Sequence, residues 1–525
     1  METSALYPYP SRRYVTYAAR GMCATSNHLA AQAGVDMLKK GGNAFDAAIA
    51  AAACLVVLEP QTNGAGSDAF AIFTQNGGKL QGMNSTGVMG RGFDLQKMRD
   101  KGYKEMPHYG FKPVTVPGAP AAWAAINEKY GRLPLTEVLA PAISYAREGQ
   151  ALCTITWSSI NTMASRMREN TDCGPQFDEW FRIFMPGGEA PRPGQLFRNP
   201  DLADTLEAIA KTQAKDYYQG EIADRIVAAS HKFGGFLEKE DLMEHEVQWV
   251  QPLSVPYHGY EVWELPPNGQ GIIALMALNI LNGFEPSPLD DPLGVHRQIE
   301  ATKLAFIDGL RYIADPRYME VSPEEMLSPE YAAARRKLIG QTAIEPAPGN
   351  PKNPGTVYLC AADNEGNMIS YIQSNYAGFG SGVVVPGTGI ALQNRGKGFS
   401  LDPESPNAAA PGKRPYHTII PGFLTKDGKP VGPFGVKVMT KLIDCGLNPQ
   451  VCIDAPRWLW TAGKEIHVET EFSTYLADSL AQRGHKIVFD TNRGGFGKGQ
   501  MILRTPFGTL IGGTEPRCEG ACAAW

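Results

Sequence analysis

Thr356 is the residue whose type and setting most directly suggest chemistry. It follows the bendable pair Pro354-Gly355 and opens an apolar run, Val357-Tyr358-Leu359-Cys360-Ala361-Ala362-Asp363. The turn Asn364-Glu365-Gly366-Asn367 leads into a second run from Met368 to Ser374. This pattern predicts a β-hairpin whose first residue is a hydroxyl. Cleavage of the Gly355–Thr356 bond would give Thr356 a free α-amine, placing nucleophile and base on one residue. On its local pattern alone Thr356 also reads as an ordinary strand residue.

Other chemistries find less support. Gly380-Ser381-Gly382 misses the Gly-x-Ser-x-Gly spacing of a serine hydrolase. The run Arg493-Gly494-Gly495-Phe496-Gly497-Lys498-Gly499 lacks both a following helix and a Gly-Lys-Ser/Thr ending, so it reads as a glycine-rich hairpin turn. The nine histidines fall at no short metal-binding spacing. Cys518 and Cys522 have no His or Cys neighbours to complete a zinc set. Neither a metal nor another cofactor is expected.

The elements that must position Thr356 follow from periodicity. Ser26 or Asn27 caps a helix with an apolar stripe at Leu29, Ala30, Ala33, Met37 and Leu38, stopped by Gly41-Gly42. An Ala-rich buried helix spans Ala44 to Leu58 and is closed by Glu59-Pro60. A glycine loop to Asp68 and a strand at Ala69–Thr74 come next. Residues 135–243 read as mostly helical, with a loop-rich interruption near 186–193. Tyr260–Leu265 alternates as a strand and an apolar helix starts at Ile272. The stretch Glu345–Pro354 is proline-rich and irregular, and it ends at Gly355-Thr356. Strands dominate afterwards, with helices around Val438–Cys445 and Phe472–Gln482.

Composition sets the limits on partners. The 525 residues are 43% hydrophobic and 20% charged with a net charge of -5, which argues against a nucleic-acid or anionic-membrane partner. Met1 to Gly21 has no apolar stretch, so no secretory leader is expected, and the longest apolar window is too short to span a bilayer. An odd, scattered set of nine cysteines points to a reducing, cytoplasmic setting.

An ordered set of motifs gives a more specific expectation. Gly21-Met22-Cys23-Ala24-Thr25-Ser26, Gly41-Gly42-Asn43-Ala44-Phe45-Asp46-Ala47-Ala48, Val116-Pro117-Gly118-Ala119-Pro120, Tyr130-Gly131-Arg132-Leu133-Pro134-Leu135, Gly380–Ile390 and Asp454-Ala455-Pro456-Arg457 stand in family order. The chain thereby resembles the γ-glutamyltransferase (glutathione hydrolase) family of N-terminal nucleophile (Ntn) hydrolases. The resemblance implies an α+β fold, the αββα four-layer sandwich, in one domain. It implies a precursor that cuts itself at Gly355–Thr356 into a large chain, 1–355, and a small chain, 356–525. Thr356 matches the nucleophile and Ser374 its hydrogen-bonding hydroxyl. Thr418 matches one of two hydroxyl positions that hold a substrate carboxylate, His417 stands at the other, and Tyr376 is placed in the pocket if its strand continues. The implied reaction moves the γ-glutamyl group of a glutathione-like amide to water or an amine acceptor, and homo-oligomerisation is left open.

Three departures from the pattern matter. Thr86 stands where γ-glutamyl enzymes carry an arginine, and Gly398 where they carry an aspartate for the substrate ammonium. Arg395 and Lys397 add positive charge beside Gly398, which would suit an anionic acyl group such as glutaryl, and some cephalosporin-acylase-like members share this variant. The third departure follows Val436, where the family's Gly-Gly oxyanion segment gives way directly to Lys437-Val438. The alternatives are therefore an acylase for another amide, with Arg395 in the acyl pocket, or an unprocessed, inert homologue.

Overall fold

A computed structural model describes residues 13–169, 174–346, 357–435 and 438–525. Among these residues two seven-stranded sheets form the centre of the molecule. In the first sheet the strands run in the order Thr16–Ala18, Leu510–Thr514, Gln500–Arg504, Lys429–Phe434, Gly422–Lys426, Tyr260–Glu264, Leu253–Tyr257. In the second the order is Ala521–Ala524, Gly21–Thr25, Val357–Asp363, Met368–Ser374, Asp68–Thr74, Gln81–Ser85, Gln248–Val250. Neighbouring strands in both are antiparallel. Each sheet thus combines strands from before and after position 356.

The inner faces meet in an apolar layer that includes Met22, Phe70, Ile72 and Ile372 from the second sheet and Phe423, Ile502 and Leu510 from the first. Helices cover both outer faces. The helix Ala44–Leu58 packs on the second sheet and is buried at all 15 residues; its run of alanines lets backbone approach backbone. Its start is fixed by a capping box. Asn43 Oδ1 accepts from the Phe45 and Asp46 amides at 2.9 and 3.2 Å, and Asp46 Oδ2 accepts from the Asn43 amide at 3.0 Å. On the first sheet the helix Gly271–Leu281 packs with Pro292–Tyr312 behind it. The result is the four-layer αββα sandwich, as in Ntn hydrolases.

The predicted hairpin is formed by Val357–Asp363 and Met368–Ser374, paired from Val357↔Gln373 to Ala362↔Met368. Its turn is organised by Asp363. That carboxylate accepts from the Glu365 and Asn367 amides at 3.0 and 3.1 Å, and its other oxygen accepts from the Ala44 amide at 3.0 Å. One side chain thus closes the turn and ties it to the start of the buried helix. Gly366 takes φ +92° there, a conformation that suits glycine.

Two expectations are corrected. Arg493–Gly499 is no hairpin turn: Lys486–Asp490 pairs parallel with Glu465–Glu469 in a separate three-stranded sheet, and Gln500–Arg504 belongs to the first large sheet. The glycine run is a connection between two sheets, with a short 3-10 turn at Arg493–Phe496. Second, the strand ends at Ser374, so Tyr376 is not on its continuation; Tyr376 has φ +77°. The helix expected around Val438–Cys445 is reduced to Met439–Ile443. No described helix is long and apolar enough to cross a membrane.

Candidate functional site

Thr356 and Gly355 lie outside the described residues; the described strand begins one residue later, at Val357. The other expected site residues can be placed around the same end of the second sheet. Ser374 closes its strand, is fully buried, and pairs in register with Asp68, the first residue of the next strand. The Ser374 Oγ accepts from the Tyr376 amide at 2.9 Å. This bond turns the chain out of the sheet and holds Tyr376 at a positive φ, a conformation costing a non-glycine residue roughly 1–2 kcal/mol.

Arg395 reaches the same place from a 3-10 turn, Arg395–Gly398. Its segment is fastened to the strand end by a hydrogen bond from the Asn394 amide to the Asn375 carbonyl, 3.2 Å, and by one from the Gly396 amide to the Pro113 carbonyl, 2.8 Å. The Arg395 side chain is completely buried and lies over the Tyr376 ring, 4.5 Å from its centroid. Nη1 donates to Thr418 Oγ1 at 2.9 Å, and Nε stands 3.8 Å from Asp68 Oδ2. Nε and Nη2 have no hydrogen-bond partner among the described residues. Buried donors left open in this way are costly, and a planar fork with two free N–H groups matches a carboxylate.

His417 is buried against the same Asp68 oxygen, with Nε2 3.0 Å from Oδ2. Its Nδ1 accepts from the Ile419 amide at 3.4 Å, so Nε2 carries the proton and donates to Asp68. The edge of the ring packs on Phe70 at 4.7 Å. Burial, helped by the nearby Arg395 charge, holds His417 well below its usual pKa and therefore neutral. Burial pushes the Asp68 carboxyl up to about 7 against the opposing pull of Arg395, and lowers Arg395 to about 10 against the pull of Asp68. The cluster is a cation, a carboxylate poised near neutrality and a neutral imidazole, with two guanidinium N–H groups still unused.

Thr418, half-buried, is fixed through its backbone, since its carbonyl accepts from Gln270 Nε2 at 2.8 Å. Gln270 Oε1 in turn accepts from Tyr416 at 2.6 Å. Gln270 also lines a cleft of about 960 Å³ whose walls include Ile420, Val438, Trp458, Trp460 and Phe472. The cleft lies beside the shortened Met439–Ile443 helix, while Val436 and Lys437, where the missing oxyanion segment was inferred, fall outside the described residues.

The two substituted recognition positions are explained by packing. Gly398 is closed in: a Cβ there would stand 3.0 Å from the Tyr416 carbonyl oxygen. Its own carbonyl accepts from Asn407 Nδ2 at 2.6 Å. Thr86 is buried, with its hydroxyl donating to Asn84 Oδ1 at 2.8 Å and its carbonyl accepting from Arg414 Nε at 3.1 Å. Lys397 does not join the cluster, because it pairs with Glu105 at 2.7 Å. Of the two added cations only Arg395 faces the site.

Asp68 is the central residue that sequence reading passed over. It was visible as the end of a glycine-rich loop, Gly64-Ala65-Gly66-Ser67-Asp68, and as the charged start of an otherwise apolar strand. A charge at the mouth of a fully buried strand was the available signal.

Known proteins resemble the chain over nearly its whole length. The model of the gamma-glutamyltranspeptidase family matches residues 30–525. The chain is 36% identical over 526 residues to the "Glutathione hydrolase-like YwrD proenzyme" of Bacillus subtilis (strain 168), covering 95% of this chain and 97% of that protein. It is 34% identical over 531 residues to the "Oxamate amidohydrolase proenzyme" of Klebsiella pneumoniae, with 96% and 98% covered. Among solved structures, cephalosporin acylase from Bacillus halodurans superposes with a TM-score of 0.95 at 53% identity, covering 100% of this chain and 99% of the other.

Proposed function

Because the chain belongs to the gamma-glutamyltranspeptidase family of Ntn hydrolases, we propose that it is a self-processing amidohydrolase for amides whose acyl half carries a carboxylate. The observation that carries this reading is Arg395, a fully buried guanidinium whose Nε and Nη2 have no hydrogen-bond partner among the described residues and whose Nη1 donates to Thr418. In the proposed mode the substrate carboxylate accepts from those two N–H groups, and Thr418 and Tyr376 frame it. Oxamate is the substrate named for one relative, and it too carries a carboxylate on its acyl carbon.

In maturation, Thr356 Oγ attacks the Gly355 carbonyl carbon. The Gly355–Thr356 C–N bond breaks, its nitrogen becomes the Thr356 α-amine, and water opens the resulting ester to leave a Gly355 carboxylate. In turnover, the α-amine, with a reference pKa of about 7.7–8.0, takes the Thr356 hydroxyl proton as Oγ attacks the substrate amide. That proton passes to the departing amine. Water, or an amine acceptor, then releases the acyl group from Thr356. Ser374 supports the nucleophile by hydrogen bonding, and the cleft beside Gln270 gives the amine half room.

A second reading, γ-glutamyl transfer from glutathione-like amides, draws on Asp68, a buried carboxylate in the cluster able to face a substrate ammonium. The two readings are separated by comparing hydrolysis of glutaryl-p-nitroanilide and γ-glutamyl-p-nitroanilide, which differ by that ammonium. Faster turnover of the glutaryl compound is expected; activity confined to the γ-glutamyl compound would sink the first reading. Intact-mass analysis tests the processing itself. Two fragments split at Gly355–Thr356 are expected, and one full-length species that Thr356→Ala leaves unchanged would identify an inert homologue.

A further inference from the structure

On the outer side of the first sheet, the helix Pro292–Tyr312 presents His296, Glu300 and Lys303 at positions i, i+4 and i+7, on one face of the helix. His485 enters the same place from the turn between Thr474–Gln482 and Lys486–Asp490. All four are buried. His296 Nδ1 and His485 Nε2 are 2.8 Å apart, and His485 Nε2 is 3.8 Å from Glu300 Oε1. The nearest ligand-type atoms of His296, Glu300 and His485 all fall within 4.8 Å of one another.

The protonation pattern singles out a lone pair. His296 Nε2 faces the Gly340 carbonyl at 3.2 Å, and a carbonyl only accepts, so Nε2 carries the hydrogen and Nδ1 carries the lone pair, which accepts from His485 Nε2 at 2.8 Å. A ring whose second nitrogen donates to a backbone carbonyl is the arrangement that orients metal-binding histidines. Glu300 is similarly steadied, with Oε2 accepting from the Ile344 amide at 3.1 Å. His485 Nδ1 has no hydrogen-bond partner among the described residues.

We propose that His296 Nδ1, His485 Nε2 and a Glu300 oxygen form a binding site for one divalent transition-metal ion of the zinc class. Two imidazoles and one carboxylate suit zinc, cobalt or nickel and not magnesium or calcium. Around zinc, bonds of about 2.0–2.1 Å separate tetrahedral ligand atoms by about 3.3 Å, which the observed separations bracket. Binding requires the His485 proton to move from Nε2 to Nδ1 and the Lys303 ammonium, now 2.7 Å from Glu300 Oε1, to retreat toward the Ile344 carbonyl it already meets at 3.3 Å. Lys303 therefore competes with the metal for Glu300. Since His296 and Glu300 precede position 356 and His485 follows it, the ion would clasp the two segments together.

The test is titration of chelator-treated protein with Co2+ and Zn2+, read by visible absorption, bound-metal analysis and thermal unfolding. One equivalent should bind, with the visible bands of a low-coordinate cobalt centre and a higher Tm, and Mg2+ should do neither. Lys303→Met should bind more tightly, and His485→Ala should weaken binding on the order of 100-fold. Absence of stoichiometric binding in both the wild type and Lys303→Met would overturn the proposal. So would binding that survives His485→Ala.

Discussion

Replacing Arg395 by methionine removes the guanidinium while keeping an apolar stem over the Tyr376 ring. The two open N–H groups, Nε and Nη2, would each give a substrate carboxylate a charge-assisted hydrogen bond contributing about 1.5–3 kcal/mol. Two such bonds amount to about 3–6 kcal/mol, or roughly 10²- to 10⁴-fold in kcat/KM. Asp68, 3.8 Å from Nε, already draws on the same charge, so the lower half of that range is expected. The assay compares glutaryl-p-nitroanilide with butyryl-p-nitroanilide, which has the same chain without the carboxylate. Arg395→Met should lose at least about 100-fold on the first and little on the second. Arg395→Lys should fall between, because an ammonium keeps the charge but lacks the planar fork. The fold should survive, since a protonated Asp68 leaves no buried charge unpaired. Equal losses on both substrates, or a loss below about tenfold on the glutaryl compound, would refute the assignment of Arg395 as the acyl anchor.

Two further outcomes follow from the same geometry. Burial raises Asp68 from its ordinary 3.8 to about 7, so the folded protein holds this proton more tightly than the unfolded chain. Stability from this group is therefore greatest below pH 3.8 and is lost as pH rises through about 7. Over the upper part of that window the ionised Asp68 also offsets Arg395, so KM for a carboxylate substrate should rise several-fold; Asp68→Asn should flatten the KM–pH profile, and an unchanged profile would disprove the coupling. At the other end of the second sheet, Asn43→Ala removes the helix cap and the 2.7 Å bond to the Tyr130 carbonyl. In the unprocessed Thr356→Ala background a loss of about 2–3 kcal/mol in urea unfolding is expected, and a loss under about 0.5 kcal/mol would contradict the capping account.

The parts of the fold legible in the sequence were those written in short-range pattern. The Ala44–Leu58 helix was marked by its Ala-rich apolar run and by Glu59-Pro60, and the 357–374 hairpin by two strand-like runs flanking the Asn364–Asn367 turn. Tyr376 was misjudged because its direction depends on a tertiary constraint, the Ser374 hydroxyl catching the amide two residues on. Lys397 was misjudged because its partner, Glu105, lies almost 300 residues earlier. Residue type placed Arg395, His417 and Thr418 in one pocket only through family order. Their convergence on Asp68 is a matter of strand register, with Asp68 opposite Ser374, and register is not written locally.

The mixing of segments from before and after position 356 within both sheets has a consequence for the mature protein. Under the proposed cut, Val357–Asp363 and Met368–Ser374 of the small chain remain wedged between Gly21–Thr25 and Asp68–Thr74 of the large chain. The fold must be complete before the bond is broken, and afterwards the interface between the two products is the hydrophobic core itself. Once denatured, such a molecule can no longer fold as it first did: reassembly becomes a second-order encounter between two incomplete sheets with open edges, each prone to pair with the wrong partner. Maturation would therefore convert a reversible folding equilibrium into a one-way lifetime, set by how slowly the strands let go.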